Sequence, residues 1–147
     1  LAVVSYPPLD GVAPFSTGQN SSSVASTTDS FLGEKYGILT VNGINSYSLH
    51  LVYNQGFNPV VGKSYVSTYV IRGVGTSVGK TIELEVYTGN SYAQSINVVL
   101  TDKWQFVQLP PTLYDGTVAV LNFYVKTYNL VAGESYEVAA AYIKEVD

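Results

Sequence analysis

Gly62-Lys63-Ser64-Tyr65-Val66-Ser67-Thr68-Tyr69-Val70-Ile71-Arg72 is the stretch that decides the fold. A turn leads into a run that alternates Tyr65, Ser67, Tyr69 and Ile71 against Val66, Thr68, Val70 and Arg72. Side chains of a strand point alternately to its two faces, so the run reads as a strand with one face on a core. Leu100-Thr101-Asp102-Lys103-Trp104-Gln105 gives the same kind of signal further on. It holds the only Trp of the chain, placed where a strand restarts after a short turn.

Working outward, similar runs recur with turn residues between them. Residues 36–41 form one, and Asn42-Gly43 after it is a hairpin-type turn. Tyr47, Leu49, Leu51 and Tyr53 alternate with Ser48, His50 and Val52. Ile82, Leu84 and Val86 alternate with Glu83, Glu85 and Tyr87, and Ile96, Val98 and Leu100 with Asn97 and Val99. The Trp104 run ends at Leu109, where Pro110-Pro111 stops it. Leu121, Phe123 and Val125 alternate with Asn122, Tyr124 and Lys126, and residues 136–146 close the series. No segment keeps the i, i+3, i+4, i+7 spacing of an amphipathic helix over enough length. The expectation is an all-β chain of about nine strands, folded as a two-sheet antiparallel β-sandwich of the jelly-roll kind.

Residues 1–19 read as an irregular, Pro-containing N-terminal arm, and residues 20–147 as the sandwich domain. Pro7, Pro8 and Pro14 keep the arm out of a central strand. Its apolar residues imply packing on this domain or on a neighbouring subunit. Residues 20–30, rich in Ser and Thr, read as a solvated loop leading into the first strand. Asn20-Ser21-Ser22 is a glycan-acceptor triplet.

Composition bounds the function. The 147 residues are enough for one domain with a real core. Charged residues make up 12%, about half the usual share, so solubility rests on Ser, Thr, Asn, Gln, Gly and Tyr. That balance fits an extracellular, virion or cell-surface protein. Net charge is −4 and no basic run exists, which removes the electrostatic footprint of a nucleic-acid binder. Without Cys there are no disulfides, thiolate metal sites or thiol nucleophiles. No apolar run approaches the ~20 residues of a membrane span. The chain holds no Met, so Leu1 is expected to be a processed or excised end.

Four stretches, taken together, resemble the jelly-roll carbohydrate-binding modules of the family 4, 9, 16 and 22 kind. They are Gly62-Lys63-Ser64-Tyr65 with Arg72, Leu100-Thr101-Asp102-Lys103-Trp104-Gln105, Leu121-Asn122-Phe123-Tyr124-Val125, and Glu134-Ser135-Tyr136-Glu137-Val138. They occur in the family's order and cover about residues 31–146. Similar domains also occur on phage and virus surface proteins. The resemblance implies a non-catalytic domain that binds a polysaccharide or cell-surface glycan. It also places Trp104 in the core. Many relatives hold a structural calcium near an acidic last strand. Here that region reads Val138-Ala139-Ala140-Ala141, and no carboxylate cluster supplies the ligands, so neither metal nor cofactor is expected.

The candidate binding residues are Arg72, Glu83, Glu85, Tyr87, Asn122, Tyr124 and Lys126, all expected to point away from the core. Tyr87 and Tyr124 offer rings on which a sugar's apolar face stacks. Arg72, Glu83, Glu85 and Asn122 offer hydrogen bonds to hydroxyls. The competing reading makes Arg72 and the glutamates an ordinary cross-strand ion pair. Tyr65, Tyr69 and Tyr47 are expected in the core; Tyr53, Phe57, Tyr92, Tyr114 and Tyr128 are expected at a rim or interface. His50 stands alone and makes no metal site or triad. Glu83 and Glu85 lie two strand steps apart, about 6.6 Å. A glycosidase needs its carboxyls on opposite sides of the scissile bond, so no enzyme is expected. The alternative function is a structural or decoration protein on a particle or cell surface, assembling through its arm and its Tyr-rich loops.

Overall fold

The alternating runs form strands throughout. The structure, a computed structural model, describes residues 3–6, 15–17, 21–33, 35–42, 48–53, 59–87, 92–117 and 122–146. In chain order the strands are β1 (Val3–Tyr6), β2 (Phe15–Thr17), β3 (Ser21–Asp29), β4 (Lys35–Val41), β5 (Ser48–Tyr53) and β6 (Ser64–Gly73). They continue with β7 (Thr81–Tyr87), β8 (Tyr92–Val99), β9 (Gln105–Gln108), β10 (Thr112–Leu113), β11 (Asn122–Thr127) and β12 (Ser135–Val146). A short 3-10 turn, Gly75–Ser77, joins β6 to β7.

Two antiparallel sheets result. The seven-stranded sheet runs β10-β6-β12-β4-β3, with β9 also on β6 and β1 also on β12. The five-stranded sheet runs β2-β5-β11-β7-β8. The expected all-β sandwich is what the chain forms.

The core follows from the alternation. Tyr65, Tyr69 and Ile71 of β6 are buried with Leu39, Val41, Tyr136, Val138 and Ile143 of the same sheet. Ile82, Leu84, Val86, Val98 and Val125 meet them from the five-stranded sheet. The Tyr69 hydroxyl donates to the Glu85 carbonyl at 2.9 Å, so a buried polar atom is satisfied across the sandwich. A bulge between Val138 and Ala140 breaks the alternation of β12. Ala139 and Ala140 then leave the main core and join Val70 in a small cluster on the opposite side of the sheet.

Two backbone corners are tightly built. Gly73 donates its N–H to the Thr101 carbonyl at 2.7 Å. A Cβ there would lie 2.9 Å from the Leu100 Cβ, so the close approach of these two segments requires glycine. Before β12, the Glu134 carboxylate accepts from Lys80 Nζ at 2.6 Å and from the Val131 N–H at 2.7 Å. Its backbone carbonyl accepts from the Val41 N–H at 2.9 Å.

Several expectations need correction. Parts of residues 1–19 are strands: β1 pairs with β12 and β2 with β5. Residues 21–29 are β3, not a loop. As the outermost strand on its side of the sheet, β3 needs only β4 for its ladder, so a polar sequence suffices. Tyr114 is buried in the core rather than on a rim, whereas Tyr128 is exposed. Tyr65 and Tyr69 are buried as expected. Tyr47, Phe57 and Asn20 lie outside the described residues, as do the side chains of Tyr53, Tyr92 and His50.

Candidate binding face

Strand register decides which candidates meet. On β7 and β11 the pairs are Asn122 opposite Tyr87, Tyr124 opposite Glu85, and Lys126 opposite Glu83. Residues directly opposite share a face, so Glu83, Glu85, Tyr87, Tyr124 and Lys126 occupy the outer face of the five-stranded sheet. The Asn122 side chain lies outside what the structure describes. Beside this row, β8 sets Ser95 opposite Glu85 and Asn97 opposite Glu83, both exposed.

Tyr87 and Tyr124 are half-buried, with ring centroids 5.9 Å apart and planes at 71°. This edge-to-face contact suits the ring quadrupoles. Lys126 Nζ lies 3.4 Å from Glu85 Oε1 and 5.9 Å from the Tyr128 ring centroid. Glu85 is only 3% exposed although it points away from the core. Its Oε2 has no hydrogen-bond partner among the described residues. Burial, then the neighbouring Glu83 carboxyl, push its pKa up to about 7, and Lys126 opposes them. Glu85 therefore holds a proton more readily than an isolated carboxylate does.

Arg72 does not share this face. It lies on β6, in the other sheet, opposite Glu137 of β12. Its Nε donates to Glu137 Oε1 at 2.6 Å. Its guanidinium carbon sits 4.2 Å from the Trp104 ring centroid and 5.3 Å from that of Tyr36. Period-2 alternation correctly turned Arg72 outward, but outward from the opposite sheet. Trp104 is corrected with it. The ring is half-buried on that outer face, against Val70, Ala139 and Ala140, rather than in the main core.

Around Trp104 stand aromatic residues that the sequence reading did not single out. Tyr36 meets it edge-on at 5.5 Å, Phe31 meets it tilted at 6.2 Å, and Phe31 meets Phe106 edge-on at 5.9 Å. Phe31 and Phe106 are 57% and 61% exposed. Phe106 carried a signal, since it alternates with Gln105 and Val107 in a short strand whose Val107 packs on the core.

Among the described residues no three His, Cys, Asp or Glu side chains gather as metal ligands. The last-strand stretch at the place of the relatives' acidic positions, Val138 to Ala141, is buried and apolar. These residues do not fit a calcium ion. No helix among the described residues is long and apolar enough to cross a membrane.

No protein-family model matches this sequence, and no curated protein is similar to it by sequence. Solved structures are similar in fold, and carbohydrate-binding modules recur among them. One holds the CBM22-1 and GH10 modules of the Clostridium thermocellum N-terminal endo-1,4-β-D-xylanase 10B, complexed with xylohexaose. Its TM-score is 0.66 at 13% identity, over 90% of this chain and 26% of that one. Another is the CBM22-1 xylan-binding domain of Paenibacillus barcinonensis Xyn10C. The TM-score is again 0.66, at 12% identity, over 90% of this chain and 86% of that one. A cyclase from Fischerella sp. TAU, in complex with 4-(1H-indol-3-yl)butan-2-one, gives 0.60 at 8% identity, over 98% and 84%. At these identities the likeness is one of fold. The fold is that of the jelly-roll carbohydrate-binding modules, and it also carries an enzyme.

Proposed function

We propose that this chain is a non-catalytic carbohydrate-binding domain of an extracellular or surface protein, and that the outer face of the five-stranded sheet is its glycan site. One observation carries the reading: the Tyr87–Tyr124 ring pair stands beside the polar row Glu83, Glu85 and Lys126 on one face. Sugar rings have an apolar face and a rim of hydroxyls. Aromatic rings beside polar groups of both signs match both parts. Glu83 and Glu85 project from one strand onto one face, an arrangement that suits holding a sugar better than flanking a scissile bond. The proposed binding unit takes in β1 and β2 together with residues 20–147, since β2 is a strand of the five-stranded sheet and β1 pairs with β12.

The test is titration calorimetry against soluble xylo-, cello- and galacto-oligosaccharides. Saturable binding to one of them, weakened by a change at Tyr124, supports the reading. No heat from any of the three overturns it.

The opposite sheet supports a second reading, a subunit of a surface assembly. Phe31 and Phe106 expose ring surface beside Trp104 and Arg72, and aromatic residues with Arg are enriched where proteins meet. Light scattering at several concentrations separates the two. A monomer near 15.8 kDa favours the glycan module, and a stable oligomer the assembly.

A further inference from the structure

Two aromatic rings on the seven-stranded sheet stand in water. Phe31 and Phe106 are each more than half exposed, and their centroids lie 5.9 Å apart. The core does not use that surface, yet both rings are firmly placed. Phe106 sits on β9 opposite Val70 of β6, on the outer face of the sheet. Phe31 sits in the turn between β3 and β4, with the Trp104 ring behind it at 6.2 Å. In that turn the Gly33 N–H donates to the Ser30 carbonyl at 2.9 Å, and the Lys35–Asp29 pair closes the base at 2.7 Å. Rings held in place before a ligand arrives lose little freedom on binding it.

The surroundings select what covers these rings. Other exposed apolar residues of this outer face stand apart from them. Leu113 lies opposite Ser64, six residues along β6 from Val70, about 20 Å away. Val24 lies on β3, four strand spacings from β9, about 19 Å. A stable protein–protein contact buries about 800 Å² on each partner. Two half-covered phenyl rings supply a fraction of that, and one or two sugar rings match them in size. Charge points the same way. Arg72 is paired with Glu137, Lys35 with Asp29, and Asp102 adjoins Lys103, so no net charge stands beside the rings. Gln108, two steps along β9 from Phe106 on the same face, is exposed. Its amide both donates and accepts, as sugar hydroxyls do.

We propose that Phe31, Phe106 and Gln108 form a second sugar surface, for the pyranose rings of a neutral glycan, so that one chain holds two glycan strands on opposite sides of the sandwich. The proposal rests on the glycan reading above and takes this patch from the subunit reading. The pyranose stacks its apolar face on the rings and sets its hydroxyls toward the Gln108 amide. The Tyr87–Tyr124 face lies on the other sheet, so the two surfaces do not compete. A domain with two such surfaces cross-links polysaccharide chains, which a one-sided module does not.

The experiment is calorimetry with xylo-, cello- and galacto-oligosaccharides on wild type, Phe106→Ser, Phe31→Ser and Tyr124→Ala. Turbidity on mixing each protein with the soluble polysaccharide of the best-binding sugar follows. The expected result is two sites per wild-type chain, one in each variant, and turbidity with wild type alone. Both phenylalanines are largely exposed, so the Ser variants should keep the wild-type unfolding midpoint. The wild-type stoichiometry decides even where a variant does not fold. One site per chain, unchanged in Phe106→Ser and Phe31→Ser, overturns this proposal and leaves the glycan reading intact. A wild-type oligomer that Phe106→Ser turns into a monomer in light scattering overturns it in favour of a subunit contact. Failure of all three sugars to bind overturns both this proposal and the glycan reading.

Discussion

The guanidinium carbon of Arg72 lies 4.2 Å from the centroid of the Trp104 ring, while its Nε holds Glu137 at 2.6 Å. One side chain therefore joins β6, β12 and the segment before β9 on the outer face of the seven-stranded sheet. Arg72→Ala leaves Glu137, 6% exposed, without its cation. The expected loss is about 1–3 kcal/mol, less than for a fully buried pair because Arg72 keeps some contact with water. Denaturant unfolding followed by Trp fluorescence measures it. Glycan affinity at the Tyr87–Tyr124 face should stay within about twofold of wild type, because Arg72 sits on the opposite sheet.

Tyr124→Ala removes one ring of the Tyr87–Tyr124 pair from the outer face. Affinity for the best neutral oligosaccharide should fall by about tenfold or more, and stability by less than about 1 kcal/mol. Calorimetry and thermal unfolding on the same sample check both. Unchanged affinity would remove Tyr124 from the site.

Gly73→Ala sets a Cβ 2.9 Å from the Leu100 Cβ and 3.2 Å from the Val78 Cα. Backbone and a buried side-chain stem have little room to yield. The cost should be about 1–3 kcal/mol, seen as a lower midpoint in urea. Gly33 meets nothing within 4 Å but has φ +85°. Gly33→Ala should therefore show backbone strain without a packing loss, about 1 kcal/mol.

Glu134 carries acid sensitivity. Burial pushes its pKa up, but the bonds from Lys80, the Val131 N–H and Thr76 outweigh burial and hold it below the ordinary 4.5. Its stabilisation is therefore present above about pH 4.5 and lost as pH falls through the folded value. Glu134→Gln should flatten the acid limb of the stability profile in chemical unfolding at a series of pH values.

Glu85 acts with the opposite sign. Its folded pKa of about 7 lies above the ordinary 4.5, so the fold prefers the protonated form. The contribution is full below about pH 4.5 and lost as pH rises through about 7. Glu85→Gln should gain about 1–2 kcal/mol above neutrality relative to wild type and change little in mild acid. A variant that loses stability at every pH would show that the Lys126 pair outweighs burial.

The alternation of Tyr65, Tyr69 and Ile71 told which side of β6 is buried, and Ile82, Leu84 and Val86 told the same for β7. That was enough for the sandwich, its core and the shared face of Glu83, Glu85 and Tyr87. Periodicity fixes a side within one strand but not which sheet the strand joins. For that reason Arg72 was grouped with residues that lie across the sandwich. Ser21 to Asp29 escaped notice because β3 pairs with β4 alone and needs no apolar alternation. Val3 to Tyr6 escaped because the neighbouring prolines outweigh four residues of pattern. The Trp104 cluster depends on the bulge at Ala139, which brings two alanines to the outer face. Three consecutive alanines look alike in sequence, and only the register separates them.

The pairing of β1 with β12 sets Val3 beside Lys144. The first strand and the last are thus neighbours in space, about 5 Å apart as antiparallel partners are. The order of strands along the chain is accordingly separable from their order in the sheet. A circular permutant with a short linker from β12 to β1, and new ends cut between the exposed Asp102 and Lys103, should reach the same fold. By the same geometry the domain can be carried as an insert in a surface loop of a host, because both connections leave from adjoining strands of one sheet.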